Sequence, residues 1–188
     1  MQIDDPERGF SVKGDGPLDM RMNPNRGQPA SAYLARLSSR ELERVLVENA
    51  DEPKAAVLAA RLAGRSLATT GDLADAVREA VRPCSRDDQE VAVRRTFQAL
   101  RIVVNEEFTA LDSLLRVLPG CLNGGGRVAI LSFHSGEDRR VKHAFAEGLR
   151  MGVYQSIAPE VIRPSAAERV ANTRSGPARL RWAVKSCA

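Results

Sequence analysis

The sequence predicts an α/β fold, and three observations lead to that class. Residues 128–133 form a short apolar run rich in β-formers, as a strand buried on both faces of a parallel sheet does. A polar turn and then helical spacing follow at once, which is typical of a strand–turn–helix unit. Residues 30–118 have the apolar periodicity of helices, and residues 180–184 alternate as a second strand does.

The first 29 residues predict an irregular segment, because glycine and proline recur too often for a helix or a central strand. Two interpretations of its centre, GDGPLDMRMNPNRG, stay open. In one, a surface loop is pinned by its apolar side chains, which are Leu18, Met20 and Met22. In the other, the loop faces a ligand through its charged side chains, which are Asp15, Asp19, Arg21 and Arg26.

Capping signals divide residues 30–118 into separate helices. Ser38 and Glu41 form a capping box, Gly64 ends the next helix, and Thr70 is expected to cap a third. A loop is predicted at residues 83–90, and one long helix after it that includes residue 115. The short helices favour a small all-helical insert rather than layers of a sheet.

The strands are too few for a complete doubly wound sheet, which ordinarily has five or more. Residues 128–133 and 180–184 predict strands, and residues 153–157 add a weaker third. The terminal strand is expected at a sheet edge, with Arg181 and Ala183 on its solvent face. Either the chain is part of a larger fold, or another polypeptide supplies the missing strands.

Composition predicts a soluble globular protein of the cytoplasm. Of 188 residues, 43% are hydrophobic and 28% are charged, and no apolar run approaches the ~20 residues that span a bilayer. The N-terminus is acidic where a secretory signal is basic and then apolar. Three widely spaced cysteines fit reduced thiols and support neither a disulfide framework nor a zinc site. We therefore expect neither a membrane nor a metal.

The net charge of +4 is unevenly distributed along the chain. Residues 1–53 carry a net charge of −3, whereas residues 127–188 carry +6. A basic C-terminal third suits a polyanion, and nucleic acid is the expected partner.

The polar turn after the first predicted strand is the candidate site. Ligands of open α/β sheets bind outside the carboxyl ends of the strands, where this turn is expected to lie. The alternative is that the turn caps a helix, with Ser135 at the N-cap and Glu137 and Asp138 favoured by the helix dipole. Capping accounts for two or three of the polar residues but not for the whole cluster with its histidine, His134.

Five stretches occur in the order and at the spacing of one family: DDPERGFS, GPLDMRM, TFQALRI-VNEE, GGRVAILSFHSGEDRRVK and RPS…N-R…ARLRWA. On these motifs, the chain resembles the S-adenosylmethionine-dependent methyltransferases that modify N4 of a cytosine in small-subunit ribosomal RNA, the MraW or RsmH family. The resemblance runs from residue 2 to about residue 184. The chain departs from the family pattern at four places, which are Asn23, residues 91–92, Gly124 and Gly136.

The resemblance implies the C-terminal part of a Rossmann-like methyltransferase sheet with an inserted all-helical domain, the N-terminal cofactor-binding half being missing. Residues 1–29 are then a loop segment on the substrate and cofactor side. Residues 30–90 form a helical insert that recognises substrate, and residues 91–188 complete the methyltransferase domain. The implied cofactor is S-adenosylmethionine, with most of its site outside this chain, and Gln2 is the one contact carried over.

The implied chemistry is methyl transfer to an exocyclic amine, a poor nucleophile because its lone pair is delocalised into the ring. The site must hold the amine in line and accept hydrogen bonds from it, through a carboxylate, a hydroxyl or a neutral imidazole. The expected catalytic residues are His134, Ser135, Ser132 and Asp19. The expected substrate-binding residues are Arg21, Glu137, Asp138, Arg139, Arg140 and Lys142.

Two functions remain open. In the first, the chain is part of an active methyltransferase. Its partners are then small-subunit ribosomal RNA or the ribosomal subunit, and either a separate N-terminal methyltransferase fragment or a second copy of the chain. In the second, the chain binds ribosomal RNA or assists ribosome assembly without catalysis, because it lacks the cofactor site.

Overall fold

The computed structural model describes residues 5–12 and 14–187, which form two compact units with the break between Glu107 and Phe108. The predicted α/β class is confirmed, since helices and a sheet are both present. The helices of the first unit are α1 (Ala30–Arg36), α2 (Ser39–Ala50), α3 (Ala55–Leu62), α4 (Thr70–Ala80) and α5 (Arg86–Val104). The elements after them are α6 (Glu107–Val117), β1 (Arg127–Ser132), α7 (Ser135–Arg150), β2 (Tyr154–Ile157), α8 (Ala166–Ala171) and β3 (Arg179–Lys185).

The first unit is built around one apolar core. The amphipathic faces of its helices supply most of that core, and the irregular segment before them adds Leu18 and Met20, which are 1% and 0% exposed. Burying a side chain of this size contributes about 1.5–3 kcal/mol relative to leaving it exposed. The predicted pinning of the loop by apolar side chains is therefore confirmed for these two residues, whereas Met22 is 48% exposed.

Helix boundaries in the first unit follow the capping side chains. The Ser38–Glu41 capping box is present as predicted. The cap of α4 is Thr69 rather than Thr70, whose hydroxyl instead accepts a hydrogen bond from the Gly16 amide. Ser85 caps α5, so the loop predicted at residues 83–90 ends five residues early.

The single long helix predicted after that loop is two helices, because the chain breaks at Asn105 and at Glu106, whose φ is +51°. The domain boundary predicted between residues 90 and 91 falls inside α5. That helix packs against α2 and α4 as one piece, and the compact unit continues to Glu107. The roles given to the three predicted segments stay predictions.

The sheet of the second unit has the strand order β1-β3-β2, and both pairings are antiparallel. The prediction of a parallel sheet with β1 buried on both faces was wrong for the part of the chain described. In β1, half-buried Val128 and Ile130 alternate with exposed residues, among which Leu131 is 53% exposed. Apolar side chains on both faces of β1 gave the sequence the appearance of a buried strand.

The terminal strand also differs from its prediction, since β3 lies at the centre of these three strands and not at an edge. Its most buried residues are Arg181 and Ala183, which are 8% and 0% exposed and were predicted to face solvent. Helix α7 covers this face through Val141 and Phe145. The opposite face therefore carries the alternating apolar residues that the sequence analysis placed in the core. No helix within the described ranges is long and apolar enough to cross a membrane.

Candidate functional site

The predicted site residues fall into two groups, one in each unit. The turn between β1 and α7 holds Ser132, His134 and Ser135, and the first two turns of α7 hold the remaining predicted residues of the second unit. The other group, Asp19 and Arg21, lies in the loop before α1.

His134, not Ser135, is the N-cap of α7. Its Nδ1 accepts a hydrogen bond from the Glu137 amide at 3.4 Å. In return, Glu137 Oε2 accepts from the Phe133 amide at 2.9 Å. These reciprocal bonds resemble a capping box in which the imidazole replaces the usual hydroxyl, and they satisfy two amides at a strand-to-helix junction.

The capping hydrogen bond determines which ring nitrogen of His134 carries the proton. A neutral imidazole has one acceptor nitrogen and one donor nitrogen, so a ring whose Nδ1 accepts carries its proton on Nε2. Nε2 is buried without a hydrogen bond in the described part of the chain, and it lies 3.4 Å from Glu137 Oε1. The sequence analysis expected His134 as an acceptor toward the substrate amine. In this geometry its second nitrogen is a donor instead.

Phe108 packs against the same turn, with its ring centroid 5.7 Å from that of His134. This approach requires glycine at position 136, because a Cβ there would lie 2.6 Å from Phe108 Cζ. Phe108 also stacks under the Arg140 guanidinium at 3.8 Å. The departure from the family pattern at Gly136 thus has a local cause: it provides the space for a ring that holds both His134 and Arg140.

Ser132 and Asp138 are bound within the protein. Ser132 is 3% exposed and its hydroxyl donates to the Arg179 carbonyl at 3.3 Å. Asp138 forms a two-pronged ion pair with Arg181, at 2.6 and 3.2 Å, and both side chains are 15% exposed or less. This ion pair connects the start of α7 to β3, which gives Asp138 a structural role. The substrate-binding role predicted for Asp138 stays a prediction.

Three cations of α7 were predicted to contact phosphate. Arg139 and Lys142 are exposed, whereas Arg140 is partly buried by its stack on Phe108 and by Asp112, 3.4 Å away. All three lie in the first two turns of α7, which His134 caps. Their contact with phosphate stays a prediction.

In the first unit, Asp19 and Arg21 form a two-pronged ion pair at 2.7 and 2.8 Å. The hydrogen bonds from the Arg21 guanidinium lower the pKa of the Asp19 carboxyl and raise the pKa of Arg21. Asp19 is therefore an ionised acceptor, already occupied by one cation. The second loop carboxylate, Asp15, accepts from the Gly71 amide at the start of α4, which lowers its pKa and attaches the loop to that helix.

The loop around this pair is held by Asn105 and Arg8, which the sequence analysis did not select. The Asn105 amide donates to the Met20 carbonyl at 2.7 Å and accepts from the Met22 amide at 2.6 Å. Arg8 donates to the carbonyls of Arg21 and Met22 at 2.8 and 2.9 Å. Together they support Met20 at φ +62°, a conformation that costs a non-glycine residue of order 1–3 kcal/mol. The available signal for Asn105 was its place in the VNEE motif.

The one glycine run, residues 124–126, precedes a strand instead of following it. Its amides are used locally, since Gly125 donates to the Lys185 carbonyl and Gly126 to the Asn123 carbonyl. The predicted cofactor contact, Gln2, lies outside the described residues.

Comparison with known proteins gives the family. The model described as the MraW methylase family matches residues 1–186. The chain belongs to this family. It is 49% identical to the ribosomal RNA small subunit methyltransferase H 2 of Alkaliphilus metalliredigens, over 99% of this chain and 56% of that protein. It is 45% identical to the ribosomal RNA small subunit methyltransferase H 1 of Lachnoclostridium phytofermentans, over 99% of this chain and 53% of that protein.

A third relative is the ribosomal RNA small subunit methyltransferase H of Methylibium petroleiphilum, at 44% identity over 98% of this chain and 63% of that protein. The chain thus spans about half the length of the curated relatives it matches most strongly. The MraW methylase match covers both units of the structure, and so includes both groups of predicted site residues.

Proposed function

We propose that this chain supplies the substrate-side groups of an S-adenosylmethionine-dependent methyltransferase that acts on a cytosine N4 amine of small-subunit ribosomal RNA. The names of the relatives support the RNA substrate. The observation that carries the proposal is His134, whose buried Nε2 has no hydrogen-bond partner among the described residues at the carboxyl end of β1. The sheet is then part of a Rossmann-like methyltransferase sheet, with residues 30–90 as a helical insert, in a protein of the cytoplasm.

In this proposal, His134 orients the base. Its Nε2–H can donate to an acceptor on the base edge, such as a carbonyl oxygen or a ring nitrogen, once the base displaces the side chains that now bury Nε2. The reciprocal bonds with Glu137 and the packing of Phe108 fix the ring before substrate arrives. Such preorganisation is how an enzyme holds a reactant close to its reacting geometry.

Activation of the N4 amine needs hydrogen-bond acceptors, because a hydrogen bond that the amine donates increases the electron density on its nitrogen. The exposed hydroxyl of Ser135 and the carboxylates of Glu137 and Asp19 are the groups of the predicted set that can accept. Ser132 faces the sheet and donates to a main-chain carbonyl, so its role is to support the turn. Arg21, Arg139, Arg140 and Lys142 are assigned to the phosphates of the RNA.

The test supplies this chain with the segment of the Alkaliphilus relative that lies outside the matched region. Small ribosomal subunits that lack the modification are incubated with both polypeptides and with S-adenosylmethionine carrying a labelled methyl group. We expect the label on N4 of a cytosine, identified by mass spectrometry of the digested RNA. Binding to the subunit without any transfer of label would instead favour a ribosome-assembly protein without catalysis.

A further inference from the structure

A groove between α6 and α7 contains Arg139 and Arg140, which are already assigned to RNA phosphates, together with residues of α6 that have no assigned role. Its volume is about 460 Å³. One wall is Asp112, Leu115 and Arg116 of α6, and the other is Arg139, Arg140, His143 and Ala144 of α7. The groove therefore lies wholly within the second unit.

The charge in this groove is unbalanced. Three guanidinium groups and an imidazole face a single carboxylate, Asp112. That carboxylate is 52% exposed and lies 3.4 Å from Arg140. An exposed pair of this kind is weak, and one carboxylate neutralises one cation at most. Guanidinium groups therefore outnumber carboxylates among the residues that line the groove.

The walls differ in rigidity. Arg140 is fixed by its stack on Phe108, at 3.8 Å from the ring centroid, and its Nε is buried. Arg116 makes one long hydrogen bond, 3.4 Å, to the Ser113 hydroxyl on its own helix. A fixed guanidinium opposite a movable one suits a ligand that enters between the helices and is then clasped by forked donors.

The position of the groove relates it to the β1–α7 turn. With a rise of about 1.5 Å per residue, His143 lies about 12 Å along α7 from Ser135, and Arg139 lies about 6 Å along. A chain of phosphates leaving a base held at His134 can follow α7 into the groove. Leu115 and Ala144, which also line the groove, are apolar and offer no competing side-chain hydrogen bonds.

We infer that the α6–α7 groove is a binding site for a phosphodiester of the RNA strand, with Arg116 and Arg139 as its main contacts and Arg140 as a fixed wall. Arg116 and His143 are new members of the interface, which the sequence motifs did not indicate. The inference rests on the proposed function for the identity of the ligand. Binding of RNA is measured without methyl transfer, so the two can fail separately.

The experiment measures binding of a fluorescein-labelled, single-stranded 12-nucleotide RNA to the full chain over a range of salt concentrations. Each phosphate contact contributes about 0.7 to the slope of log affinity against log salt. Arg116→Gln combined with Arg139→Gln should therefore reduce the slope by roughly 1.4 and weaken binding several-fold at low salt. Each single variant, Arg116→Gln or Arg139→Gln, is also compared with the control Arg150→Gln, which removes one positive charge from α7 outside the groove, where Arg150 pairs with Glu147.

A second variant acts in the opposite direction. Asp112→Asn removes the one carboxylate that lines the groove and should tighten binding several-fold. Its control is Glu147→Gln, which removes a carboxylate of α7 outside the groove, where Glu147 pairs with Arg150. Loss of slope in the double variant with tighter binding by Asp112→Asn supports the groove. No binding by the unaltered chain, or equal effects of groove and control variants, overturns it whatever the methylation assay gives.

Discussion

The two units of this protein are stabilised in different ways. In the first, helices and the preceding loop surround a large apolar core in which Leu42, Leu46, Leu58 and Leu100 are fully buried. In the second, the buried apolar cluster of the described residues is small, and it centres on Val141, Phe145, Tyr154 and Ala183. Polar ties, such as the Asp138–Arg181 pair, fix the start of α7 there.

The difference shows where function can be accommodated. A continuous core holds a unit together through many small contributions, and a loop attached to it can keep a strained residue such as Met20. In the second unit, a small core makes the stability depend on few side chains. The turn between β1 and α7 lies in the same unit and carries the polar groups of the candidate site. Each of the following changes tests one side of this contrast, from the largest expected effect to the smallest.

Phe145→Ala should give the largest loss. Phe145 is 2% exposed and meets the Tyr154 ring edge-on, with the centroids 5.5 Å apart. Removing such a side chain typically costs about 3–5 kcal/mol of the free energy of unfolding. Trp182, the sole tryptophan, lies on β3 and reports urea unfolding of this unit by its fluorescence. Leu149→Ala on the same helix is the control, since Leu149 is 41% exposed. Equal effects of the two variants would refute the small-core description.

Asp138→Asn should cost about 3 kcal/mol, because it leaves the Arg181 guanidinium charged, buried and without its partner. The matched change, Glu147→Gln, breaks an exposed ion pair with Arg150 and should cost much less than Asp138→Asn does. Denaturant titration of both variants measures the difference. If Asp138→Asn retained its stability but lost RNA binding, the substrate role predicted from the sequence would replace the structural one.

Asn105→Ala should cost about 2 kcal/mol, since it leaves the Met20 carbonyl and the Met22 amide without their partner. The loss should be localised. Hydrogen exchange at Met22 should accelerate, while amides of α2 keep their protection. Gln98→Ala is the control on α5, because its side chain bonds the Asn49 carbonyl and does not touch the loop. Unchanged exchange at Met22 would show that Asn105 does not hold the loop.

Asp19→Asn should give the smallest effect and a pH dependence. Arg21 lowers the pKa of Asp19 in the folded protein below the reference value of 3.8. A lowered pKa means that the pair stabilises the fold above that value and that the contribution is lost as pH falls through the folded pKa. The variant should thus be less stable by up to about 1 kcal/mol at pH 7, and the difference should shrink below about pH 4. A difference that stays constant from pH 7 to pH 3 would exclude the ion pair as its cause.

The sequence could predict what depends on neighbours along the chain. The Ser38–Glu41 capping box and the approximate positions of the three strands are local features, and the structure has them. The orientation of β3 could not be predicted this way. The alternation of apolar and polar residues shows that β3 has two different faces, but not which face is covered. That depends on the packing of α7, and on Asp138, whose ion pair with Arg181 makes the burial of Arg181 possible.

The candidate site divides in the same manner. The position of His134 could be predicted because the strand, the polar turn and the helix around it are contiguous in the sequence. Its protonated nitrogen could not be assigned from sequence, since that depends on which atom accepts the Glu137 amide. Asn105 was missed because its partners are more than 80 residues away. Sequence therefore locates a site more readily than it assigns the hydrogen bonds within it.

The central claim is that His134 contributes to methyl transfer beyond capping α7, and His134→Asn tests it most directly. Asparagine is among the best N-cap residues, so this variant keeps an acceptor for the Glu137 amide while it loses Nε2–H. Single-turnover methylation and thermal melting are measured on the same reconstituted preparation, with Arg150→Gln as the control at an exposed position of α7 outside the groove. We predict a near-normal melting temperature and a methylation rate reduced ~10²-fold or more. A variant that melts normally and methylates at the full rate would contradict the claim and leave His134 as a helix cap alone.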